Sequence, residues 1–270
     1  MTISIYHQDN LEFLKTLPDN HINLIFTDPP FNSGKQMCRK VVKKTLDENG
    51  NIGFGGNKYK TEIVSTTSYN DSFDNYIDGF LRPRMEQARR ILKDDGSMYL
   101  LLDYREVHYA KVMMDEIFGR ENFINELIWH WDYGAKSKTK WSCKHNNILF
   151  YAKDKNNYTF NYNNIPRIPY MAPGLAGPEK AARGKIITDC WFHTVVPTNG
   201  KQKTGYSTQK PLGILRPIVN VSSNPGDLCM DFFAGSGSFG VACKELGRDC
   251  ILIDENPEAI KIMNKQFGLT

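Results

Sequence analysis

No C-x-x-C pair occurs among the six cysteines, Cys38, Cys143, Cys190, Cys229, Cys243 and Cys250. That spacing suggests neither a zinc knuckle nor a disulfide framework. Cys229 and Cys250 sit inside apolar runs and read as small buried hydrophobes. The cysteine usage fits a reducing compartment. No stretch approaches the ~18 consecutive apolar residues of a membrane-crossing helix, and the N-terminus lacks a signal-peptide pattern, so the expectation is a soluble, cytoplasmic protein. Neither sign of charge dominates, with 34 Lys and Arg against 30 Asp and Glu, a formal +4. A balance this mild permits a nucleic-acid partner without requiring one, because a local basic patch matters more than the total. At 270 residues the chain is long enough for one large domain or a domain carrying a lobe.

What is present begins with strand, helix and strand inside thirty residues. Residues 3–7 alternate like a short strand, Asp9-Asn10 offers a helix cap for residues 11–17, and Pro18-Asp19-Asn20 turns the chain into the apolar run 22–27. That run ends at Asp28-Pro29-Pro30-Phe31, since proline cannot continue a sheet ladder. A carboxylate, two rigid backbone carbonyls and an aromatic ring are thus expected at the C-terminal edge of a parallel sheet, where open α/β sheets bind ligands.

Over residues 34–70 the hydrophobic period disappears, and the segment reads as a mobile loop, either a solvated insertion or a lid or DNA-contacting loop. Its position directly after Phe31 favours the lid. Residues 76–92 have helical spacing, with Pro83 near the start, and Asp95-Gly96 stops them before the buried strand 97–102. A helix over 106–118 follows, then strands over 127–131 and 148–152, separated by a basic stretch holding Lys136, Lys138 and Lys140.

Residues 155–207 are the least regular part. They interleave Arg167, Arg183, Lys185, Lys201 and Lys203 with Tyr158, Tyr162, Tyr170 and Trp191 and many asparagines. Such a mixture fits a nucleic-acid surface, because amides and guanidinium groups read base edges while lysines hold phosphates; a solvated insertion with a few core aromatics is the alternative. Regular structure returns with a helix over 212–222 and a strand over 227–233. Gly235-Ser236-Gly237-Ser238-Phe239-Gly240 then satisfies G-x-G-x-x-G between a strand and a helix, and Asp254 ends the next strand 19 positions after Gly235. Glycines let a backbone approach a nucleoside cofactor, and the acid accepts from ribose hydroxyls. A dinucleotide and S-adenosylmethionine both fit. A dinucleotide domain needs further βα units after Asp254, where only one helix follows, so the missing half of the sheet is expected from the N-terminus. The sheet would be permuted, with the cofactor half last.

In this order the motifs resemble the amino-methyltransferases of DNA, in the permuted arrangement called the β class. The resemblance spans nearly the whole chain and is weakest over 34–70 and 155–205. The segment Asp231-Phe232-Phe233-Ala234-Gly235-Ser236-Gly237 is similar to that family's cofactor motif, and Asp254 to its ribose-holding acid, with Asn256 beside it. Gln209-Lys210-Pro211 is similar to the motif lining the methionine end, and Asp9 to the acid meeting adenine, although helix capping alone would explain Asp9. Asp28-Pro29-Pro30-Phe31 resembles the catalytic tetrapeptide. In the block His145-Asn146-Asn147-Ile148-Leu149-Phe150, Asn146 stands where the family often has an acid, and no role is assigned to it. Methyltransferases acting on RNA bases share D-P-P-F but normally carry the glycine motif first. C5-cytosine enzymes need a Pro-Cys nucleophile, which is absent here, and the enzymes that methylate protein glutamine carry N-P-P-Y.

The resemblance implies a Rossmann-like α/β methyltransferase fold with a mostly parallel seven-stranded sheet. Residues 1–154 and 208–270 would form the catalytic body and 155–207 a target-recognition region. It also implies S-adenosyl-L-methionine as cofactor, double-stranded DNA as partner and no metal. The host would be a prokaryote or a phage. Oligomeric state and the presence of a restriction endonuclease partner stay open. Family usage places Asp first for N6-adenine and Ser for N4-cytosine, so adenine is expected and N4-cytosine is the alternative. More remote are a nicotinamide-dependent oxidoreductase using the glycine turn and a non-catalytic DNA-binding protein.

Overall fold

A computed structural model describes residues 1–52, 56–197, 200, 202–206 and 208–269. The strand–helix–strand opening forms as its sequence predicts, as β1 (Ile3–His7), α1 (Asn10–Thr16) and β2 (Ile22–Thr27). Asp9 caps α1, its carboxylate accepting from Glu12 N at 3.0 Å. Every residue of β2 is buried, as a strand covered on both faces requires.

Residues 32–74 form a compact unit of their own. Its two strands, β3 (Lys35–Ile52) and β4 (Lys58–Asp71), pair antiparallel over most of their length. This corrects the expectation of a loop without regular structure over 34–70. At the base, the Asp71 carboxylate accepts from Asn32 N at 2.8 Å and Ser33 N at 3.1 Å. Among the described residues this unit holds no other element. With no second layer inside the unit to bury one face, such a ribbon imprints no apolar alternation on its sequence.

The larger unit comprises Met1–Phe31 and Asn75–Thr270. Residues 76–92 are not one helix: a π turn (Tyr76–Leu81) runs into α2 (Arg82–Ile91), and Asp95-Gly96 lies within β5 (Leu92–Leu102). Pro83 occupies the first turn of α2, where its missing N–H costs nothing. Then come α3 (Val107–Phe118), β6 (Phe123–His130) and β7 (His145–Ala152). Within 155–207 the elements are short: β8 (Arg167–Ile168), α4 (Pro173–Ala176), α5 (Pro178–Arg183), β9 (Lys185–Ile186) and β10 (Cys190–Phe192). The chain closes with α6 (Leu212–Ser222), β11 (Leu228–Asp231), α7 (Ser238–Glu245), β12 (Asp249–Asp254) and α8 (Pro257–Phe267). No described helix is long and apolar enough to cross a membrane.

The main sheet runs in the order β1-β12-β11-β2-β5-β7-β6-β10. Neighbours from β1 to β5 are parallel, and β7 is antiparallel to both β5 and β6. There are eight strands in place of the seven expected, because β10 adds itself parallel to β6. Three residues are too few to carry a readable period, yet Ile128 N donates to Asp189 O at 2.7 Å and His193 N to His130 O at 3.1 Å along that edge. The permutation is borne out by register: Met230 of β11 pairs with Ile25 of β2, so the last part of the chain supplies the strand beside the first βαβ unit.

Candidate active site

β11 and β2 sit where the strand order turns back on itself, with β12 and β1 continuing one way and β5 the other. Such a switch point opens a crevice outside the C-terminal ends of the two strands. Both motifs are there. Asp231 ends β11 and Asp28 follows β2, and Thr27 Oγ1 donates to Asp231 Oδ1 at 3.3 Å.

The glycine turn is built from backbone. Phe233 N donates to Asp231 Oδ1 at 3.0 Å, and Gly237 N to Ala234 O at 2.8 Å. Gly235 and Gly237 take left-handed φ values of +51° and +76°, which glycine adopts without strain. A Cβ on Gly235 would stand 3.1 Å from the Tyr206 ring, one on Gly237 2.7 Å from Met263 Cγ, and one on Gly240 2.6 Å from Leu252 Cδ1. Asp254 Oδ2 accepts from Gly235 N at 2.7 Å, and Oδ1 from Asn256 N at 2.8 Å. Asn256 in turn caps α8 through Glu258 N at 2.9 Å. Phe232 is fully buried, so it offers only backbone, and its carbonyl accepts from Asn10 Nδ2 at 2.6 Å. Ser236 Oγ and Ser238 Oγ lie 2.9 Å apart.

One arginine that sequence reasoning missed organises the neighbouring wall. Arg84, buried on α2, donates to Asn10 Oδ1 at 2.6 Å, to Asp9 Oδ2 at 3.1 Å and to Phe80 O at 2.8 Å. Its guanidinium lies 4.1 Å from the centroid of the Phe80 ring, which meets the Phe233 ring at 5.7 Å. Asp9 is therefore both helix cap and ion-pair partner.

At the tetrapeptide, Tyr76 OH donates to Pro30 O at 2.5 Å and holds the turn. Lys210 Nζ donates to Asp28 Oδ2 and, at 3.1 Å, to Thr208 O. Burial pushes the Asp28 carboxyl up to about 6, while the charge and hydrogen bond of Lys210 draw it back. Asp231 is pushed up to about 8 by burial; the Phe233 N–H opposes this, and the nearby Asp28 and Asp254 charges add to it. Burial raises Asp254 as well, against the hydrogen bonds from Asn256 N and Gly235 N.

Phe31 and Lys210 also line a cleft of about 660 Å³, with Tyr104, Trp129, Trp131 and His145 on its walls. The two tryptophans, 4.9 Å apart between centroids, were not singled out from sequence; their W-x-W spacing across the end of β6 was the available signal. Of the basic candidates, Lys140 and Lys203 line this cleft. Lys136 and Lys138 are exposed on the same loop as Lys140. Arg167, Arg183 and Lys185 lie apart on β8, α5 and β9, where Arg167 Nη1 donates to Gly184 O at 3.1 Å. Lys201 lies outside the described residues. No group of three or more metal-ligating side chains occurs among the described residues.

Comparison with known proteins agrees with this architecture. The chain is 28% identical over 257 residues to the type II methyltransferase M.HpaI of Haemophilus parainfluenzae, covering 95% of this chain and 71% of that protein. It is 28% identical over 272 residues to the DNA adenine methyltransferase YhdJ of Escherichia coli (strain K12), covering 96% of this chain and 80% of that one. Among solved structures, the M1.HpyAVI–SAM complex superposes with a TM-score of 0.63 at 20% identity, over 98% of this chain and 99% of that one. Residues 22–265 match the DNA methylase family model, and the chain belongs to that family of DNA methylases.

Proposed function

We propose that this protein transfers the methyl group of S-adenosylmethionine to the exocyclic N6 amine of adenine in double-stranded DNA, acting on a base turned out of the helix. One observation carries the reading: Asp28-Pro29-Pro30-Phe31 and the glycine turn, encoded at opposite ends of the chain, meet at one switch point.

The residues fit the cofactor. The left-handed φ values of Gly235 and Gly237 shape the tight turn that follows β11, as a backbone cradle for a nucleoside cofactor requires. Each Asp254 oxygen accepts one N–H and keeps a lone pair for a ribose hydroxyl. We assign the remaining turn residues Asp231, Phe232, Phe233, Ala234 and Ser236 to the cradle, Asp9 and Asn256 to the adenosine end, and Lys210 to the methionine end. When bound, the cofactor supplies an electrophilic sulfonium methyl.

The acceptor amine is a poor nucleophile because its lone pair is delocalised into the ring. Asp28 and the Pro29 carbonyl each accept one of its N–H groups and localise that lone pair, and two prolines fix the acceptors in place. Phe31 stacks on the extruded base, as chemistry on a base within a duplex requires. Lys136, Lys138, Lys140 and Lys203 hold phosphates beside the cleft, while 155–207, with Arg167, Arg183 and Lys185, reads the target. Residues 1–154 and 208–270 form the catalytic body, within which 32–74 is a separate unit.

Asp at the head of the tetrapeptide favours adenine, and the name of YhdJ points the same way. DNA from a methylation-deficient host expressing the protein should contain N6-methyladenine on nucleoside digestion; N4-methylcytosine alone would overturn the choice of base.

A further inference from the structure

The proposed reaction develops positive charge on the target amine, yet a cation already sits on the carboxylate assigned to receive it. Lys210 and Asp28 are 11% and 14% exposed, so their pair is not a screened surface contact. The ammonium has two further partners, the Thr208 carbonyl at 3.1 Å and the face of Phe31, whose centroid is 5.5 Å away. It can therefore release one acceptor without leaving the site.

Asp28 is otherwise poorly placed to stay ionised. Burial opposes its charge more strongly than Lys210 supports it. A protonated Asp28 has given up part of its acceptor capacity to its own O–H. The site thus needs a cation before the base arrives and a vacated acceptor oxygen afterwards, and Lys210 is placed to satisfy both needs.

Resting on the reading of Asp28 as amine acceptor, we propose that Lys210 is its positioning residue: the ammonium keeps the Asp28 carboxylate charged and oriented until the base enters, then yields Oδ2 to the amine and stays on Thr208 O and the Phe31 ring. This role is separate from lining the cofactor, and the two make different predictions for the same substitution.

The test is a ¹³C carboxyl titration of the full chain, with the Asp28 signal identified by its loss in Asp28→Asn. The midpoint should lie near 6 in the unaltered protein, rise by about one unit in Lys210→Met, and return in Lys210→Arg. In parallel, kcat/KM for DNA should fall about fivefold more near pH ~6 than near pH ~8 in Lys210→Met, because a one-unit rise leaves most of Asp28 protonated at the lower pH. Both pH values are assayed at saturating S-adenosylmethionine, so that loss of Lys210 from the methionine end of the cofactor does not enter the comparison. An unmoved midpoint, or equal losses at both pH values, overturns the proposal. Because the titration needs no methyl transfer, a shifted midpoint in a protein that methylates no DNA supports the charge-holding role while refuting the functional reading.

Discussion

Thr27 Oγ1 donates to Asp231 Oδ1 at 3.3 Å, and this one hydrogen bond ties the last residue of β2 to the last residue of β11. Thr27 is fully buried and Asp231 nearly so, so no water replaces the donor. Thr27→Val keeps the shape and removes the hydroxyl. It should lower the unfolding free energy by about 1 kcal/mol, measured by urea denaturation; an unchanged midpoint would show that the bond contributes nothing.

Asp28→Ala should abolish methyl incorporation while leaving cofactor affinity nearly unchanged. Asp28 is assigned to the amine, and the cradle residues lie on β11, β12 and the turns that follow them. Radiolabelled methyl transfer and calorimetry read the two separately. Equal loss of both would place Asp28 in the cofactor pocket.

Stability should decline as pH rises from about 6 to about 8. Asp231 titrates at about 8 in the fold and at ~4 in an unfolded chain, so the folded state holds the proton more tightly. That contribution is complete below ~4 and is lost as pH climbs through about 8. Asp28, at about 6, is lost earlier. Asp231→Asn should flatten the urea midpoint against pH between about 6 and about 8, since the amide cannot ionise. Parallel curves for the two proteins would refute the burial argument.

Gly240 lets α7 settle against β12, where an added Cβ would reach within 2.6 Å of Leu252 Cδ1. Gly240→Ala should therefore destabilise by about 1–3 kcal/mol through overpacking. Thermal unfolding with and without S-adenosylmethionine would show the same stabilisation by cofactor if the glycine serves packing alone.

Replacing Lys136, Lys138 and Lys140 together by Gln should weaken DNA binding on every sequence and reduce the slope of log K against log salt by up to about three. Fluorescence anisotropy across a salt series measures this. A slope that does not change would remove the loop from the DNA interface.

Much of the site was legible because its parts are local. The α6 helix, the glycine turn and Asp254 each announce themselves within a dozen residues, and Asp28-Pro29-Pro30-Phe31 does so in four. What could not be read were partners brought together by the sheet. Arg84 joins Asp9, Asn10 and Phe80 from a helix whose arginines look like a solvated face. The Lys210–Asp28 pair joins residues 182 positions apart. The β3–β4 ribbon was missed for another reason: residues 32–74 are a unit by themselves, with no internal layer to stamp a period on the strands. β10 was too short to be seen without β6.

That three-residue strand constrains any attempt to transplant target specificity. Cys190–Phe192 belongs by sequence to the irregular segment but by hydrogen bonding to the main sheet. Excising 155–207 as a cassette would strip β6 of its neighbour and leave its amides and carbonyls facing solvent, a template for self-association. A chimera that exchanges the segment only up to Thr188 keeps Asp189 and β10 paired to β6, and should remain monodisperse where the wider exchange precipitates.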